Sequence, residues 1–203
     1  MVNAIRYIYY GMDDYIKAGG VVMVPLFAVS IVMWLLIIDR AMFFRRLYHK
    51  NMDSKTAWSH TNEGRMPDPA QYRGVVSLLV AEFVSRRHGN KELDLHILDE
   101  IIQKLSRRLT GYLALIGVLA AIAPLLGLLG TVTGMIATFD VLAVFGTGNA
   151  KAMAGGISEA LITTQTGLLV AIPGLYMKGF LDRRAQILKQ RIEAVGFYLK
   201  RHL

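Results

Sequence analysis

One carboxylate stands alone in a long uncharged stretch of the chain. Glu159 is the sole charged residue between Lys151 and Lys178. This stretch exceeds the roughly 20 apolar residues that are needed to cross a lipid bilayer. A carboxylate inside a membrane-spanning helix is costly in free energy, so it indicates a functional site, and the chemistry it offers is the handling of protons or other cations.

Hydroxyl side chains occur in this stretch and in an earlier uncharged one: Thr131, Thr138, Thr163, Thr164 and Thr166. A hydroxyl both donates and accepts hydrogen bonds, so a row of hydroxyls can hold a chain of water without a fixed charge. Two other interpretations stay open. The hydroxyls can bond to carbonyls of their own helices, and Glu159 can be a neutral structural carboxyl, since burial favours its protonated form.

Three apolar runs must position these side chains. The chain has 203 residues, of which 54% are hydrophobic. Uncharged or nearly uncharged runs predict transmembrane helices at 18–38, 109–139 and 155–177. A soluble bundle is the alternative, but buried helices of soluble proteins rarely continue past 20 residues without a charge. The predicted fold class is therefore an all-α membrane protein with three transmembrane helices and long cytoplasmic helical extensions.

The distribution of basic residues predicts the orientation of the spans. The formal net charge is +8, and 20 of the 23 Lys and Arg residues lie in 39–109 and 178–203. Basic residues near span ends remain in the cytoplasm. We therefore expect the N-terminus outside and the C-terminus inside. The clustering at span ends also argues against nucleic acid as a partner.

Four further segments connect or flank the spans. Residues 1–17 are amphipathic and rich in tyrosine, which predicts a helix lying at the membrane–water boundary. Residues 39–108 are predicted to form a cytoplasmic helical segment. Residues 140–154 are predicted to form a periplasmic turn. Residues 178–203 are predicted to form a cytoplasmic C-terminal helix.

Capping residues predict the helices of the first cytoplasmic segment. Asp68 as N-cap and Pro69 at the first helical position predict the start of one helix. Gly89 is predicted to end it, and Asn90 to cap the next. Residues 49–67 are polar. A set of charges on these two helices is predicted to form a solvated face: Arg86, Arg87, Lys91, Glu92, Asp94, Asp99 and Glu100.

Metal and thiol chemistry find little support in the sequence. Cysteine is absent, which excludes disulfides and cysteine-based metal sites. His88 and His96 have no histidine or acidic partner at metal-ligand spacing, so we expect surface histidines. No metal and no cofactor are predicted. No nucleophile–base pair is visible either, so we expect no enzyme.

Apolar residues of the C-terminal helix recur at spacings of four and three and require an apolar neighbour, either the 68–109 helices or another subunit. They are Leu181, Ala185, Leu188, Ile192, Val195 and Leu199. The remainder of this helix is basic. It favours binding of anionic inner-leaflet lipids or of an acidic partner.

Small residues predict where the second span packs. Gly127, Gly130 and Gly134 recur at spacings of three and four, which allows close approach of another helix in lipid. Pro173, near the end of the third span, shares a helical face with Glu159 and predicts a kink.

Two segments resemble motifs of the ExbB/TolQ/MotA proton-channel family. PLLGLLGTVTG at 124–134 is similar to the family's second-span motif, and GISEALITTQTG at 156–167, followed by AIP at 171–173, to its third-span motif. GGVVMVP at 19–25 and DR at 39–40 extend the likeness to the first span. The length and the number of spans resemble the ExbB/TolQ branch.

The resemblance implies a subunit of a motor in the bacterial inner membrane that is driven by the proton motive force. Five copies would form a ring around two copies of an ExbD/TolR-like single-span subunit, each with a transmembrane Asp. The output would drive a TonB- or TolA-like periplasm-spanning protein. TonB-dependent import is favoured, and TolQ-like envelope constriction or gliding is the alternative.

The resemblance also carries roles to particular residues. Thr131 and Thr164 match the threonines that face the partner's Asp, and Glu159 matches the family's buried glutamate, so these three form the expected proton pathway. Thr138, Thr163 and Thr166 are further pore-lining candidates. Whether Glu159 carries protons or is structural stays open, and so does the choice of proton over sodium.

Two functions of other classes compete with the motor. A membrane scaffold without ion flux would use the C-terminal apolar stripe and leave Glu159 unimportant. A substrate transporter is disfavoured, because three spans without an internal inverted repeat are atypical of transporters.

Overall fold

The computed structural model describes residues 18–48, 52–146 and 149–203, so the predicted interfacial helix at 1–17 lies outside the described residues. The described chain is helical and contains no strand. The helices are α1 (Met23–Tyr48), α2 (Ser54–Asn62), α3 (Val75–Arg86), α4 (Lys91–Thr110), α5 (Leu113–Phe145) and α6 (Ala150–His202).

Three stretches of the described chain are long and apolar enough to cross a membrane: Met23–Tyr48, Lys91–Phe145 and Ala150–His202. The predicted all-α fold with three transmembrane helices is thereby confirmed. α6 is a single helix of 53 residues that continues through Pro173.

The helices divide between two compact units. Among the described residues, the spanning unit comprises 18–36 together with Leu115–Met177, and the extension unit comprises Ile37–Ala114 and Lys178–Leu203. In the spanning unit, a small apolar core contains Met23, Leu26, Met33, Ile116, Ala120 and Ala123. Most large apolar side chains of this unit remain exposed, as expected of helices that face lipid or other subunits.

The extension unit has a core of ordinary globular type. Phe44, Phe83 and Leu98 are fully buried in it. The apolar stripe of α6 is buried as well, with every member at most 3% exposed. α4 provides part of the neighbour that the stripe requires, because Ile102 contacts the α6 backbone at Gly196. The prediction that the stripe packs against an apolar partner is confirmed.

Helix starts in the 49–90 region differ from the predictions. Helix α2 forms within the polar segment, where Ala57 and Thr61 are buried. The next helix begins at Val75 and not at Pro69. The Asp68 carboxylate accepts a hydrogen bond from the Ala70 amide at 2.9 Å. This side chain therefore stabilises a turn, which is the competing use of aspartate beside proline.

Asp94 is buried, so its assignment to a solvated face was wrong. It is 1% exposed and accepts hydrogen bonds from the His88 amide at 2.9 Å and the Gly89 amide at 3.2 Å. Arg87 Nε donates at 3.3 Å to Asp94 Oδ2, the same carboxylate oxygen that accepts from the Gly89 amide. The chain reverses here between α3 and α4 and leaves amides without helical partners, which the carboxylate satisfies.

The same reversal confirms the predicted cap at Asn90 and also contains an exposed ion pair. The Asn90 side chain accepts from the Glu92 amide, as predicted for an N-cap. Arg86 donates two hydrogen bonds to the Glu100 carboxylate, at 2.9 and 2.8 Å, and joins α3 to α4. This hydrogen-bonded pair lowers the pKa of Glu100 and raises that of Arg86.

Candidate functional site

Helices α5 and α6 approach each other until their backbones touch. A Cβ atom added to Gly134 would lie 2.7 Å from the Gly156 carbonyl oxygen and 2.8 Å from the Ala160 amide nitrogen. One added to Gly127 would lie 3.2 Å from the Thr164 Cα. Real Cβ atoms need more space, so a side chain at either glycine would separate the helices.

The α6 side of this contact has its own small residues, which the sequence analysis missed as packing positions. A Cβ atom on Gly167 would lie 2.7 Å from the Ala123 carbonyl oxygen. Small buried residues recur along this face at spacings of three and four: Gly156, Ala160, Thr163, Gly167, Ala171 and Gly174. That spacing is the signal that could have identified the face, because it matches one side of a helix.

The first span, α1, packs against the same α5–α6 pair. A Cβ atom on Gly174 would lie 2.5 Å from Met33 Sδ of α1 and 3.2 Å from Ala120 Cβ of α5. Gly174 therefore allows three helices to meet at one level of the spanning unit. Pro173, the predicted packing residue, is half-buried beside it.

Thr164 and Thr131 flank the line of contact between α5 and α6, and both are half-buried. The Thr164 hydroxyl donates either across to the Gly127 carbonyl oxygen at 3.3 Å or to the Ala160 carbonyl oxygen of its own helix at 3.2 Å. The Thr131 hydroxyl donates to the Leu128 carbonyl oxygen at 2.6 Å. Each hydroxyl oxygen retains acceptor capacity for water or for an acid on a partner.

The register of α5 against α6 determines how Thr131 and Thr164 are placed along the helix pair. Thr164 lies against Gly127, and Ala160 lies against Gly134. Thr131 stands between these two glycines on α5, so it is level with the turn of α6 that carries Ala160 to Thr164. The two candidate threonines thus occupy neighbouring levels of one helix pair.

Thr138, Thr163 and Thr166 occupy a different environment. All three are at most 5% exposed and donate to carbonyls of α5 or α6. Thr163 fills the space over Gly130, and Thr138 lies over Gly156. Bonding to the helix's own carbonyls, the alternative left open for the threonines, is the geometry found at all three, and Thr131 and Thr164 show it as well.

Glu159 is half-buried on α6, and its carboxylate lies against the start of the first span. A Cβ atom on Gly20 would overlap the Glu159 carboxylate, so this oxygen rests directly on the Gly20 backbone. Gly20 has φ +67°, a conformation that L side chains rarely adopt. The sequence analysis did not predict the contact between Gly20 and Glu159.

The polar groups of the site are few and of two chemical kinds. Within the described residues, no group of three histidine, cysteine or acidic side chains could hold a metal ion. The polar side chains are hydroxyls and one carboxylate in an apolar helix pair.

Comparison with known proteins identifies the family of this chain. The profile of the MotA/TolQ/ExbB proton channel family matches residues 69–194. The ExbB-like protein 1 of Synechocystis sp. is 34% identical over 79% of this chain and 66% of its own length. The biopolymer transport protein ExbB of Aquifex aeolicus is 40% identical over 41% of this chain and 56% of its own length.

A further relative is covered more completely. The biopolymer transport protein ExbB of Helicobacter pylori is 38% identical over 58% of this chain and 81% of its own length. The matches span two thirds or less of the first two relatives and most of the third. The family match covers more than half of the chain and includes both motifs around Thr131 and Glu159. This multi-pass membrane protein therefore belongs to the MotA/TolQ/ExbB proton channel family.

Proposed function

We propose that this chain is the ring-forming subunit of a motor in the bacterial inner membrane that is driven by the proton motive force. The observation that carries the proposal is the α5–α6 pair, which presents Thr131 and Thr164 beside its line of contact and carries Glu159 five residues before Thr164 on α6. The motor would energise a periplasmic or outer-membrane process. TonB-type import is favoured, because the relatives are named biopolymer transport proteins.

In this proposal Thr131 and Thr164 face a water-filled path. Their hydroxyls are anchored by carbonyls and accept hydrogen bonds from water or from a partner's acid. The partner is an ExbD/TolR-like subunit whose single span carries an Asp. A pentamer of this chain would surround two copies of that subunit.

In the same proposal Glu159 is a proton acceptor that lies apart from Thr131 and Thr164. Its carboxylate rests on the Gly20 backbone, which fixes its place relative to the first span. Protonation of the carboxylate removes its charge and so changes how α1 and α6 interact. Thr138, Thr163 and Thr166, which are buried, keep the helix pair together in this scheme.

The membrane potential limits what each proton can deliver. One elementary charge moved through 100 mV releases about 2.3 kcal/mol. Several protons per step are therefore needed to move a periplasm-spanning, TonB- or TolA-like arm. A repeating ring suits this requirement because it offers the same site in each subunit.

The basic extension unit fits the cytoplasmic side, so the N-terminus faces the periplasm and the C-terminus the cytoplasm. The exposed basic residues of α6 would contact anionic inner-leaflet lipids. This orientation follows from the positive-inside rule, by which basic residues near span ends remain in the cytoplasm.

The test replaces each candidate in the organism's own cells. Glu159→Gln and Thr164→Val remove the titratable or polar function while preserving shape. We expect each to abolish uptake across the outer membrane that a protonophore also abolishes, with complex assembly unchanged on native gels. Ser158→Ala, which removes an exposed hydroxyl next to Glu159 on α6, is the matched control and should retain uptake.

The same strains distinguish the alternative functions, a TolQ-like or gliding motor and a membrane scaffold. If uptake persists in both variants while cell constriction or gliding fails, the motor serves a TolQ-like or gliding system. If both variants work normally in every process and only disruption of the buried α6 stripe, as in Leu188→Asp, abolishes function, the chain is a scaffold and the proposal is wrong.

A further inference from the structure

A polar side chain on the outer side of the third span has no role in the proposed proton path. Gln165 of α6 is exposed, and its amide makes no hydrogen bond within the described part of the chain. Gly156 and Gly174 both contact α5. Each lies nine residues from Gln165, which is two and a half helical turns. Gln165 therefore stands on the side of α6 that is opposite α5.

The other sides of α6 are already occupied or assigned. The side that carries Glu159 lies against Gly20 at the start of the first span. The side that carries Thr164 faces the proposed water path. Gln165 is about 100° from Thr164 and about 120° from Glu159 around the helix. It belongs to a fourth side, which is exposed in the described chain.

Large apolar side chains surround Gln165 on this fourth side. With Gln165 they form the α6 outer stripe, whose members recur at spacings of four and three: Leu161, Gln165, Leu168, Ile172 and Leu175. The four apolar members are 48% to 67% exposed. An amide that faces hydrocarbon has no hydrogen-bond partner there, which costs free energy. A single polar residue in such a stripe is typical of a contact between spanning helices, where it bonds to the neighbouring helix.

Helix α5 carries a second stripe of the same kind on its side opposite α6. The members of this α5 outer stripe are 37% to 63% exposed and also recur at spacings of four and three: Val118, Ile122, Leu125, Leu129, Val132 and Ile136. Leu125 lies nine residues before Gly134, which contacts α6, so the stripe faces away from α6. The α5–α6 pair thus presents two different apolar stripes on opposite sides.

Two different stripes on opposite sides of one subunit suit a head-to-tail contact between copies, which closes into a ring. We propose that the α6 outer stripe of one copy packs against the α5 outer stripe of the next copy, and that Gln165 donates a hydrogen bond across this contact to a backbone carbonyl oxygen. Such an oxygen has a second lone pair besides the one that its own helix uses. The inference rests on the proposed ring and names the surfaces that close it.

The depth of Gln165 predicts what it meets in the next copy. Gly167 lies against Gly127 within one copy, so Gln165, two residues earlier on the antiparallel helix, is level with Leu129. Rotation about an axis along the membrane normal leaves every residue at its own depth. Gln165 of one copy should therefore lie beside Leu129 of the next copy.

The test introduces pairs of cysteines into the full-length chain, whose sequence contains no cysteine that would interfere. Membranes from the organism's own cells are oxidised with copper phenanthroline. We expect Gln165→Cys combined with Leu129→Cys to give a ladder of crosslinked copies, because a disulfide requires Cβ atoms about 4 Å apart. Leu168→Cys combined with Leu125→Cys is a second pair at matching depth and should give the same ladder.

Two controls define the contact. Each single cysteine variant should remain uncrosslinked, because a head-to-tail contact does not bring two identical stripes together. Gln165→Cys combined with Ile136→Cys should also remain uncrosslinked. Ile136 belongs to the same α5 outer stripe but lies seven residues, or about 10 Å, beyond Leu129.

Gln165→Met tests the amide itself, because it preserves the length of the side chain and removes the hydrogen bond. We expect the dissociation constant of the subunit contact in detergent to rise roughly three- to 15-fold, as loss of a hydrogen bond between spanning helices implies. Leu161→Met, a change within the same stripe, is the matched control and should leave the constant unaltered. An equal constant in both variants would refute the role of the amide.

Three other results would overturn the proposal. Crosslinking of Gln165→Cys alone would mean that two α6 outer stripes meet. Rapid labelling of Gln165→Cys by a charged thiosulfonate that does not cross membranes would mean that this side faces water. No ladder from either pair, with the ring intact by native mass spectrometry, would assign the stripes to lipid or to the partner's span and leave the proposed function standing. Absence of any ring would contradict the proposed function itself.

Discussion

At the residue scale, the contact between Glu159 and Gly20 places the lone carboxylate of the third span. The backbone of Gly20 has a positive φ, and its missing side chain leaves the space that the carboxylate occupies. Position 20 thus depends both on the ability of glycine to adopt a positive φ and on its lack of a side chain. The contact joins residues 139 positions apart in sequence, which explains why no local pattern indicated it.

Gly20→Ala should displace the Glu159 carboxylate and reduce energised output as Glu159→Gln does. Its backbone strain alone costs roughly 1–2 kcal/mol. Gly146→Ala is the matched control, because Gly146 also has a positive φ of 60° but nothing within 4 Å of its Cβ position. Carbodiimide labelling of Glu159 provides the second readout and should become faster in Gly20→Ala.

A rescue experiment separates positioning from general damage. Glu159→Asp shortens the side chain by one carbon and makes room for the alanine. The double variant should therefore recover part of the output that Gly20→Ala loses, since the two positions are in contact. Equal labelling and equal output in Gly20→Ala and Gly146→Ala would contradict the positioning role.

Asp94 illustrates a buried charge with a structural task. Asp94→Asn keeps the shape but replaces an acceptor oxygen by a donor that faces the amides of His88 and Gly89. We expect these amides to lose about 2–3 kcal/mol of protection, which corresponds to roughly thirty- to 150-fold faster hydrogen exchange. Glu92→Gln, an exposed change two residues earlier, should leave exchange unaltered. Unchanged exchange in Asp94→Asn would show that the carboxylate is dispensable.

At the element scale, the backbone contact of α5 with α6 determines the level of each threonine. Adjacent glycines on α6 offer a test within one helical turn. Gly156→Ala inserts a methyl group against the Gly134 carbonyl oxygen, whereas the Cβ position of Gly155 has nothing within 4 Å. We expect Gly156→Ala to destabilise the chain by about 1–3 kcal/mol.

Gly155→Ala should be neutral or stabilising by up to about 1 kcal/mol, because alanine is the better helix former. Thermal unfolding of the full chain in one detergent measures both variants. A similar shift of the unfolding temperature in both would mean that the close approach of the helices does not contribute to stability.

At the scale of the whole molecule, the features that depend on composition and local pattern were predictable. The uncharged runs predicted the three spans, and the spacing of apolar residues in α6 predicted a buried stripe. Asn90 was predicted as an N-cap from its position before a helical pattern. Each of these depends on residues close in sequence, where helix geometry fixes the relation.

Features that depend on distant parts of the chain were not predictable in the same way. Helix α2 is polar and gains stability from burial of Ala57 and Thr61 against other parts of the extension unit. Asp94 resembles any exposed acid in a helical pattern, and its burial follows from the reversal between α3 and α4. The burial of Thr163 follows from Gly130 on another helix. Helix propensity and spacing carry no information about such contacts.

The central claim is that this chain forms a ring around a partner that carries the proton-binding Asp. Native mass spectrometry of the complex, extracted gently from the organism's own cells, tests it most directly. The account predicts five copies of this chain with two copies of a small single-span protein whose apolar segment contains an Asp. A monomer or dimer without such a companion would contradict the account.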